Sequence, residues 1–386
     1  MERELLYQKI YNDLLEGIQE KRFPAGSRLP SEMELAEQYN VSRITSKKAL
    51  EMLADQNLIT RKPGKGSYVL DYSMAEGKRP GEEPAGTVAE EKDCGGRRLI
   101  GVVLDSFGAA YGCDVVGGIE RECRKQNFHM VLKCTYGNME EETKAFDELI
   151  ALGVRGIILM CVQGEHYNEN VLKLSLKNFP MVLVDRELAG LPIPCVTTDN
   201  FKAAKELVTV LIEKGHKCIS FFSHPITGTS TVAARFSGYV ESLLEHGLGT
   251  SEDMWLRNLS STLPRLDADD GEEYEDIKRI EAFIRDHPQV TGFFTVDQAL
   301  GITVYKILCR MGLEKEKEVV FFDGIDESYD PNPMFHHVVQ GEYLIGVMAV
   351  KYLKDRMEGK DVPKKYCVPY EIVKSSRDTH PDLYAR

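Results

Sequence analysis

Two rhythms of apolar and polar residues run along the 386-residue chain. Leu5, Leu6, Ile10, Leu14, Leu15 and Ile18 recur at helical spacing and share one face. PAGSRLPSE breaks that rhythm with Pro and Gly, and Ser31 followed by Glu34 fits a capping box opening a short helix, MELAEQY. Asn40-Val41 predicts a tight turn, Ser42 a cap, and RITSKKALEMLADQ the next helix. Asn57 to Thr60 reads as a strand, PGKG as a hairpin turn and SYVL as its partner strand. Helix, helix, helix and hairpin in that order predict a winged helix-turn-helix over residues 1–71.

Beyond residue 98 the rhythm changes. RLIGVVLD, HMVLKCTY, GIILMCV, MVLVD, CISFF, GFFTV and EVVFF are short apolar runs, and the segments between them, such as DVVGGIERECRKQN and EEETKAFDELIALG, are amphipathic at helical spacing. Buried strands alternating with helices predict an α/β unit of doubly wound parallel sheets. So many elements call for two sheets, so the unit is expected to be two-lobed. Residues 72–97 contain EGKRPGEEPAGTVAEEKDCGG, rich in Gly, Pro and Glu and nearly devoid of large apolar side chains, which reads as a solvated linker.

Charge sharpens this division. The net charge is −13, which excludes a chain that coats nucleic acid all over. From Val41 to Tyr68, however, Arg43, Lys47, Lys48, Arg61, Lys62 and Lys65 face only Glu51 and Asp55. That local excess falls on the second helix of the helix-turn-helix and on the hairpin. A helix that enters the major groove needs short polar and cationic residues in its first turns, which Ser42, Arg43, Thr45 and Lys47 supply. A wing tip of Gly64, Lys65 and Gly66 lets backbone and lysine approach a neighbouring groove. Ser31 and Glu32, at the start of the preceding helix, complete the candidate DNA-facing set with Lys62. Nine cysteines, without C-x-x-C spacing, fit reduced and mostly buried thiols. Neither a signal peptide nor an apolar run near membrane-spanning length is found, so a cytoplasmic chain with no membrane partner is expected.

Residues 6–70 resemble the winged helix of the GntR regulators, on the stretch FPAGSRLPSEMELAEQYNVSRITSKKALEMLADQNLITRKPGKGSYV. The resemblance implies contacts to double-stranded operator DNA by Arg43, Thr45, Lys47 and the wing around Lys62, Lys65 and Gly66. Met33 and Lys47 depart from arginines frequent in that family, and lysine lacks the planar fork that reads guanine, so the operator sequence does not carry over.

Polar residues end the apolar strands of the larger unit, where ligands of doubly wound sheets bind. They are Asp105, Asp185, Arg186, Asp297 and Asp323, beside the aromatic Phe322. Carboxylates and arginines next to an aromatic ring suit a polyhydroxylated ligand, while each carboxylate could equally cap the helix that follows it. From Arg97 onward the chain resembles the effector domain of the LacI/GalR repressors and their periplasmic sugar-binding relatives. RLIGVVLDSF, MVLVDRE, VTTDNFKAAKELVTVLIEKGHKCISFF, RFSGYVESLLEHG, VTGFFTVD, VVFFDGID and HHVVQGEYLIGVMAVKYLKDRMEGK carry the likeness. It implies a periplasmic-binding-protein-like fold and sugar contacts at Asp185, Arg186, Arg235, Phe322, Asp323 and Gln340. Lobe one is expected at about 98–199 with 336–362, and lobe two at about 200–335 with 363–386. Where the family often has Asn-Asp this chain has Val296-Asp297.

A GntR-type head on a LacI-type body resembles the arabinose-operon repressors of Gram-positive bacteria. The chain is therefore expected to be a homodimeric, sugar-responsive repressor of carbohydrate-utilisation genes, with L-arabinose or a relative as the first effector to consider. Two alternatives stay open, an activator and a sensor of a nucleoside or sugar phosphate. No P-loop, H-E-x-x-H or G-x-S-x-G occurs and the histidines lack ligand spacing, so no enzyme activity, cofactor or metal is expected.

Overall fold

The structure, a computed structural model, describes residues 6–19, 22–24, 26–55, 59–62, 66–69, 98–108, 111–162, 167–225, 228–264, 270–324 and 332–379. The chain divides into two compact units, 1–91 and 92–386. The expected linker at 72–97 lies outside the described residues.

The first unit holds α1 (Leu6–Gln19), α2 (Glu32–Gln38), α3 (Arg43–Asp55), β1 (Ile59–Lys62) and β2 (Gly66–Val69). Ile10 and Leu14 of α1 pack on Leu29, Leu35, Ala49, Leu50, Leu53, Ile59 and Val69, which is the apolar face the periodicity predicted. The capping box is present: Ser31 Oγ accepts from Glu34 N at 3.3 Å, and Ser31 N donates to Glu34 Oε2 at 2.7 Å. Buried Ser46 of α3 donates to the Glu32 carbonyl at 2.6 Å, locking the two helices together. The β1–β2 hairpin is antiparallel, and residues 26–29 pair with it through Gly26 N to Val69 O and Leu29 N to Ser67 O.

The second unit is an α/β body of two sheets. Its elements are β3 (Arg98–Leu104), α4 (Cys113–Lys125), β4 (Phe128–Cys134), α5 (Met139–Ala151), β5 (Ile157–Leu159), α6 (Glu169–Leu176), β6 (Met181–Val184), β7 (Cys195–Thr198) and α7 (Asn200–Glu213). There follow β8 (Ile219–Phe222), α8 (Ser230–Glu245), β9 (Trp255–Leu256), α9 (Asp270–Asp286), β10 (Gly292–Thr295), α10 (Gln298–Met311) and β11 (Glu318–Phe322). The last are β12 (His337–Gln340), α11 (Glu342–Met357), β13 (Lys365–Val368), β14 (Tyr370–Val373) and α12 (Ser376–Thr379).

One sheet runs β13-β7-β6-β5-β3-β4 and the other β14-β12-β11-β10-β8-β9. The two orders match position for position, so β6 corresponds to β11 and β3 to β8. All pairings are parallel except β12 with β14. Alternate strand residues of the first sheet face opposite sides. Val102, Ile158 and Val182 pack under α4 and α11, while Val103, Ile157 and Leu183 pack with Phe146 and Leu149 of α5. In the second sheet Phe221-Phe222, Phe293-Phe294 and Phe321-Phe322 put a buried ring on each face, with Phe221 and Phe294 stacked at 5.5 Å.

The chain leaves the first sheet at Asp199, which caps α7 by accepting from Lys202 N at 3.0 Å. The later crossings differ from the expected boundaries at 336, 362 and 363. β12 belongs to the second sheet and β13 to the first, so the chain crosses at Gly341 and again at Pro369. Those crossings are single residues between elements, with no loop to mark them in the sequence. A second correction concerns the thiols. Cys113, Cys309 and Cys367 are exposed, and among the described cysteines only Cys123, Cys161 and Cys195 are buried.

α4 and α11 cross backbone to backbone. A Cβ at Gly118 would lie 2.2 Å from Tyr343 O, and one at Gly346 would lie 2.2 Å from Val115 O. Neither obstacle is a flexible side chain, so the helices would have to separate. Gly118→Ala and Gly346→Ala should each destabilise the chain by about 1–3 kcal/mol, read as a lower denaturant midpoint at unchanged m. Gly117→Ala, where a Cβ meets nothing within 4 Å, is the control.

Candidate functional site

The carboxyl ends of the two sheets face each other across a cavity of about 130 Å³. That is about ten times the space one water molecule needs, room for a monosaccharide. From the first lobe it is lined by Tyr111, Asp185 and Arg186. From the second come His224, Thr231, Val232, Arg235, Thr262, Leu263, Pro264, Val296, Asp297, Asp323 and Gln340.

Asp185 and Asp323 occupy equivalent places, each following its strand, β6 and β11, in the left-handed region at φ 64° and 66°. Aspartate tolerates that region better than most residues, and such outliers concentrate at binding sites. Neither caps a helix. Tyr111 OH donates to Asp185 Oδ1 at 3.0 Å. Arg186 Nη1 donates to Asp105 Oδ2 at 2.8 Å and to Cys161 O at 2.9 Å. In the second lobe Arg235 Nε donates to Asn200 Oδ1 at 2.7 Å, and its Nη1 donates to Val296 O and lies 3.7 Å from Asp323 Oδ2. Gln340 Nε2 donates to Asp323 Oδ1. Asp297 caps α10 by accepting from Leu300 N at 2.9 Å and pairs with His224 at 2.5 Å.

Of the residues singled out in the sequence, Asp185, Arg186, Arg235, Asp323 and Gln340 are brought together on the cavity wall. Asp105 stands one layer behind, holding Arg186. Phe322 is a correction: its ring is fully buried, and the Arg235 guanidinium covers its face at 3.9 Å. It therefore offers no face to a ligand, and Tyr111 is the aromatic that lines the cavity. Sequence reasoning missed Tyr111, His224, Thr231 and Thr262. The strand-end rule could have found His224, which follows β8, whereas Tyr111 sits in a loop with no pattern.

The walls also hold unused hydrogen-bonding capacity. Gln340 Oε1 and Arg186 Nε on the lining, and Asp105 Oδ1 behind it, are buried without a hydrogen-bond partner, Arg186 Nε lying 3.6 Å from Asp185 Oδ2. Groups of this kind are costly unless something else satisfies them.

On the first unit, Ser42 Oγ accepts from Thr45 N at 3.2 Å and lies 2.8 Å from Thr45 Oγ1, so it caps α3. Arg43 is 69% exposed on its side chain, and its Nε donates to Glu32 Oε2 at 3.0 Å. Lys47 is exposed on the same helix. Gly66 pairs with Lys62 at φ 106°, and the Arg28 side chain lies over it, placing a cation at the hairpin that the sequence reading did not include. The Lys62 side chain and all of Lys65 lie outside the described residues. Ser31 is occupied as a cap and Glu32 as the partner of Arg43, which gives both an internal role. Among the described residues no cluster could hold a metal ion, and no helix is long and apolar enough to cross a membrane.

Buried carboxyls around the cavity hold their protons unusually tightly. Burial, against the Gly112 N–H and with help from Asp323, Asp114 and Asp185, pushes Glu342 up to about 8. Burial lifts Glu142 to about 7 and Asp323 to about 6. His224 loses by burial but gains more from Asp297, and its pKa is raised. Between the unfolded glutamate value of 4.5 and these folded values the folded chain binds more protons than the unfolded one, so stability falls as pH rises from about 4.5 through about 7 for Glu142 and about 8 for Glu342, and levels off above. Each retained proton contributes a slope of about 1.4 kcal/mol per pH unit. Glu142→Gln and Glu342→Gln should each flatten that slope in melts recorded across the range.

Residues 97–327 match the profile of periplasmic binding proteins and sugar binding domain of LacI family, and residues 6–69 match bacterial regulatory proteins, gntR family. Catabolite control protein A of Priestia megaterium is 26% identical over 303 residues, 78% of this chain and 86% of that protein. The HTH-type transcriptional repressor PurR of Pasteurella multocida (strain Pm70) is 24% identical over 268 residues, 68% of this chain and 75% of that protein. A solved complex of the transcriptional regulator CelR with cellobiose aligns at a TM-score of 0.64 and 16% identity, covering 89% of this chain and 98% of that one. The chain belongs to the family of periplasmic binding proteins and LacI-type sugar binding domains, here carrying a gntR-type head.

Proposed function

We propose that this chain is a transcriptional regulator that binds operator DNA through its winged helix and a neutral monosaccharide in the cleft of its body. One observation carries the ligand half of this reading: Gln340 Oε1 and Arg186 Nε, both on residues of the cavity lining, are buried without a hydrogen-bond partner. One is an acceptor and the other a donor 3.6 Å from Asp185 Oδ2, the valences that a polyol's hydroxyl groups fill. The charges on the lining balance, with Arg186, Arg235 and His224 facing Asp185, Asp297 and Asp323. Asp105 behind them adds a further carboxylate, which disfavours a phosphorylated effector. The cavity's size favours a single sugar ring, and L-arabinose or a close relative is the first to test. The relatives named as regulators and repressors support a DNA-binding, repressing role; that the chain works as a homodimer and without enzyme activity is part of the proposal.

In this reading Arg43, held by Glu32, and Thr45 meet base edges or phosphate, while Lys47 and the hairpin cations meet phosphate.

A thermal-shift panel of pentoses, hexoses, disaccharides and sugar phosphates on the full chain tests the effector. At a hundredfold excess over Kd the correct monosaccharide should stabilise the chain by about 2.7 kcal/mol. Arg186→Lys keeps the charge but loses the planar fork, and should weaken binding by about tenfold or more. Sugar phosphates shifting the melt while free sugars do not would overturn the neutral-ligand reading. For the head, binding to DNA from upstream of the chain's own gene should weaken with Arg43→Ala. Lys47→Ala should reduce the slope of log K against log salt by about 0.9.

A further inference from the structure

We infer that the segment Arg257–Pro264 is the wall that sets the fit of the ligand cavity, and that His224 and Asp276 are the positioning residues that hold it there. The inference rests on the reading of the cavity as the effector site. The segment follows β9 and has no ladder of its own, yet Thr262, Leu263 and Pro264 line the cavity. Something other than secondary structure must therefore fix it.

Leu259 is buried in the core and its N–H donates to Ser223 O at 3.1 Å, and two side-chain anchors hold the rest. From α9, Asp276 Oδ2 accepts from Ser260 N at 2.7 Å and from Ser261 N at 2.9 Å. Arg279, 3.1 Å from Asp276, donates to the carbonyls of Asn258 at 2.9 Å and Arg257 at 2.8 Å. One ion pair on a helix face thus satisfies four backbone groups of an irregular segment. From β8, His224 Nδ1 donates to Leu259 O at 2.8 Å, and its Nε2 faces Asp297 Oδ2, with Thr262 Oγ1 at 3.4 Å. A carbonyl can only accept, so Nδ1 carries a hydrogen. A carboxylate also only accepts, so Nε2 carries one too, and the ring is an imidazolium. Its proton ties the wall to the cap of α10.

The tip of the wall reaches the other lobe. Pro264 O lies 3.3 Å from the position of a Cβ on Gly137, itself at φ 73° in the turn after β4. The same point is 3.8 Å from Asp105 Oδ1, one of the unpartnered acceptors. The opposite side of the mouth is joined by Glu187 N donating to Ser230 Oγ at 2.8 Å. Moving the wall therefore changes both the room in the cavity and the contact between the lobes.

Charged groups facing His224 come from several elements. Asp297 heads α10, Arg186 follows β6, and Arg235 on α8 and Asp323 after β11 line the same cavity. Asp297 holds the proton on the ring and Arg186 opposes it. The pKa is raised above the ordinary histidine value, and the clamp loses one hydrogen bond as pH rises through it.

Hydrogen exchange on the full chain without ligand tests the clamp. His224→Gln and Asp276→Asn should speed exchange across 257–264 by about tenfold relative to α7, with the rest of the body unchanged. In the wild type that protection, corrected for intrinsic rates, should fall as pH rises above the ordinary histidine value and in His224→Gln it should not. Trp255, the sole tryptophan of the chain, adjoins the wall and gives a fluorescence titration with L-arabinose, D-glucose and cellobiose. Both variants should bind the wild-type monosaccharide about tenfold more weakly and discriminate less against the disaccharide. Unchanged exchange in both variants, or faster exchange with unchanged affinity, overturns the inference. If no sugar binds the wild type, the effector reading falls, and exchange alone then decides whether these two residues hold the wall.

Discussion

The guanidinium of Arg235 is the point on which the body's architecture turns. It is a buried charge, and such a charge survives only when every side of it is compensated. Asn200, the first residue of α7 after the crossing at Asp199, takes Nε. The Val296 carbonyl takes Nη1, Asp323 supplies the counter-charge, and the Phe322 ring lies 3.9 Å from the guanidinium carbon. One side chain thus joins a crossing between lobes, the ends of β10 and β11, and the aromatic core of the second lobe. Removing it would leave Asp323 buried with no cation beside it, and its pKa already shows burial winning over Arg235 and Gln340. The first lobe repeats the device with Arg186 between Asp105 and the Cys161 carbonyl. Matched strand orders and matched left-handed aspartates after β6 and β11 make the cleft a meeting of two similar half-sites.

That symmetry explains what could be read from the sequence. Parallel strands covered on both faces are continuously apolar, so MVLV and VVFF announced themselves, and the polar residue after each was conspicuous. Ser31 with Glu34 and Ser42 with Thr45 are local hydrogen-bond patterns, which is why the helix-turn-helix was legible residue by residue. Phe322 was legible only as an aromatic beside a carboxylate. Which face of the sheet it took depended on strand register and on an arginine 87 positions earlier in the chain, facts that no local pattern contains. The crossings at Gly341 and Pro369 were hidden for a similar reason. Gly341 has Pro369 O 2.6 Å from where a Cβ would sit, so the two crossings touch, yet neither is a loop. Tyr111 and the wall at 257–264 come from irregular segments whose placement is dictated by distant anchors.

The acidic surroundings of the cleft follow from the same geometry. Bringing the ends of β3, β6, β10 and β11 together collects aspartates that serve different ends: Asp297 caps, Asp105 pairs, Asp185 and Asp323 face the cavity. Their mutual repulsion adds to the cost of desolvation, and Glu342, next to the crossing at Gly341, carries the consequence as a carboxyl whose pKa reaches about 8. Gly112, whose N–H Glu342 accepts at 2.7 Å, follows Tyr111, which in turn holds Asp185. Proton occupancy beside the crossing and hydrogen bonding in the cavity are therefore parts of one connected set of groups.

Recognition in such a site depends on what the protein leaves unused. Arg186 and Arg235 spend Nη1 on protein carboxylates and carbonyls, and His224 spends both of its hydrogens on Leu259 and Asp297. A phosphate would have to compete with Asp105, 2.8 Å from Arg186, and with Asp185 and Asp323, 3.6 and 3.7 Å from the two guanidinium groups, and then remain beside those carboxylates. In the proposed reading a hydroxyl group asks for less: it would donate to Gln340 Oε1 and accept from Arg186 Nε, which only faces Asp185 Oδ2 at 3.6 Å. In the proposed reading the internal ion pairs would act as a filter against charge, and the few leftover valences would set the orientation of a neutral ligand.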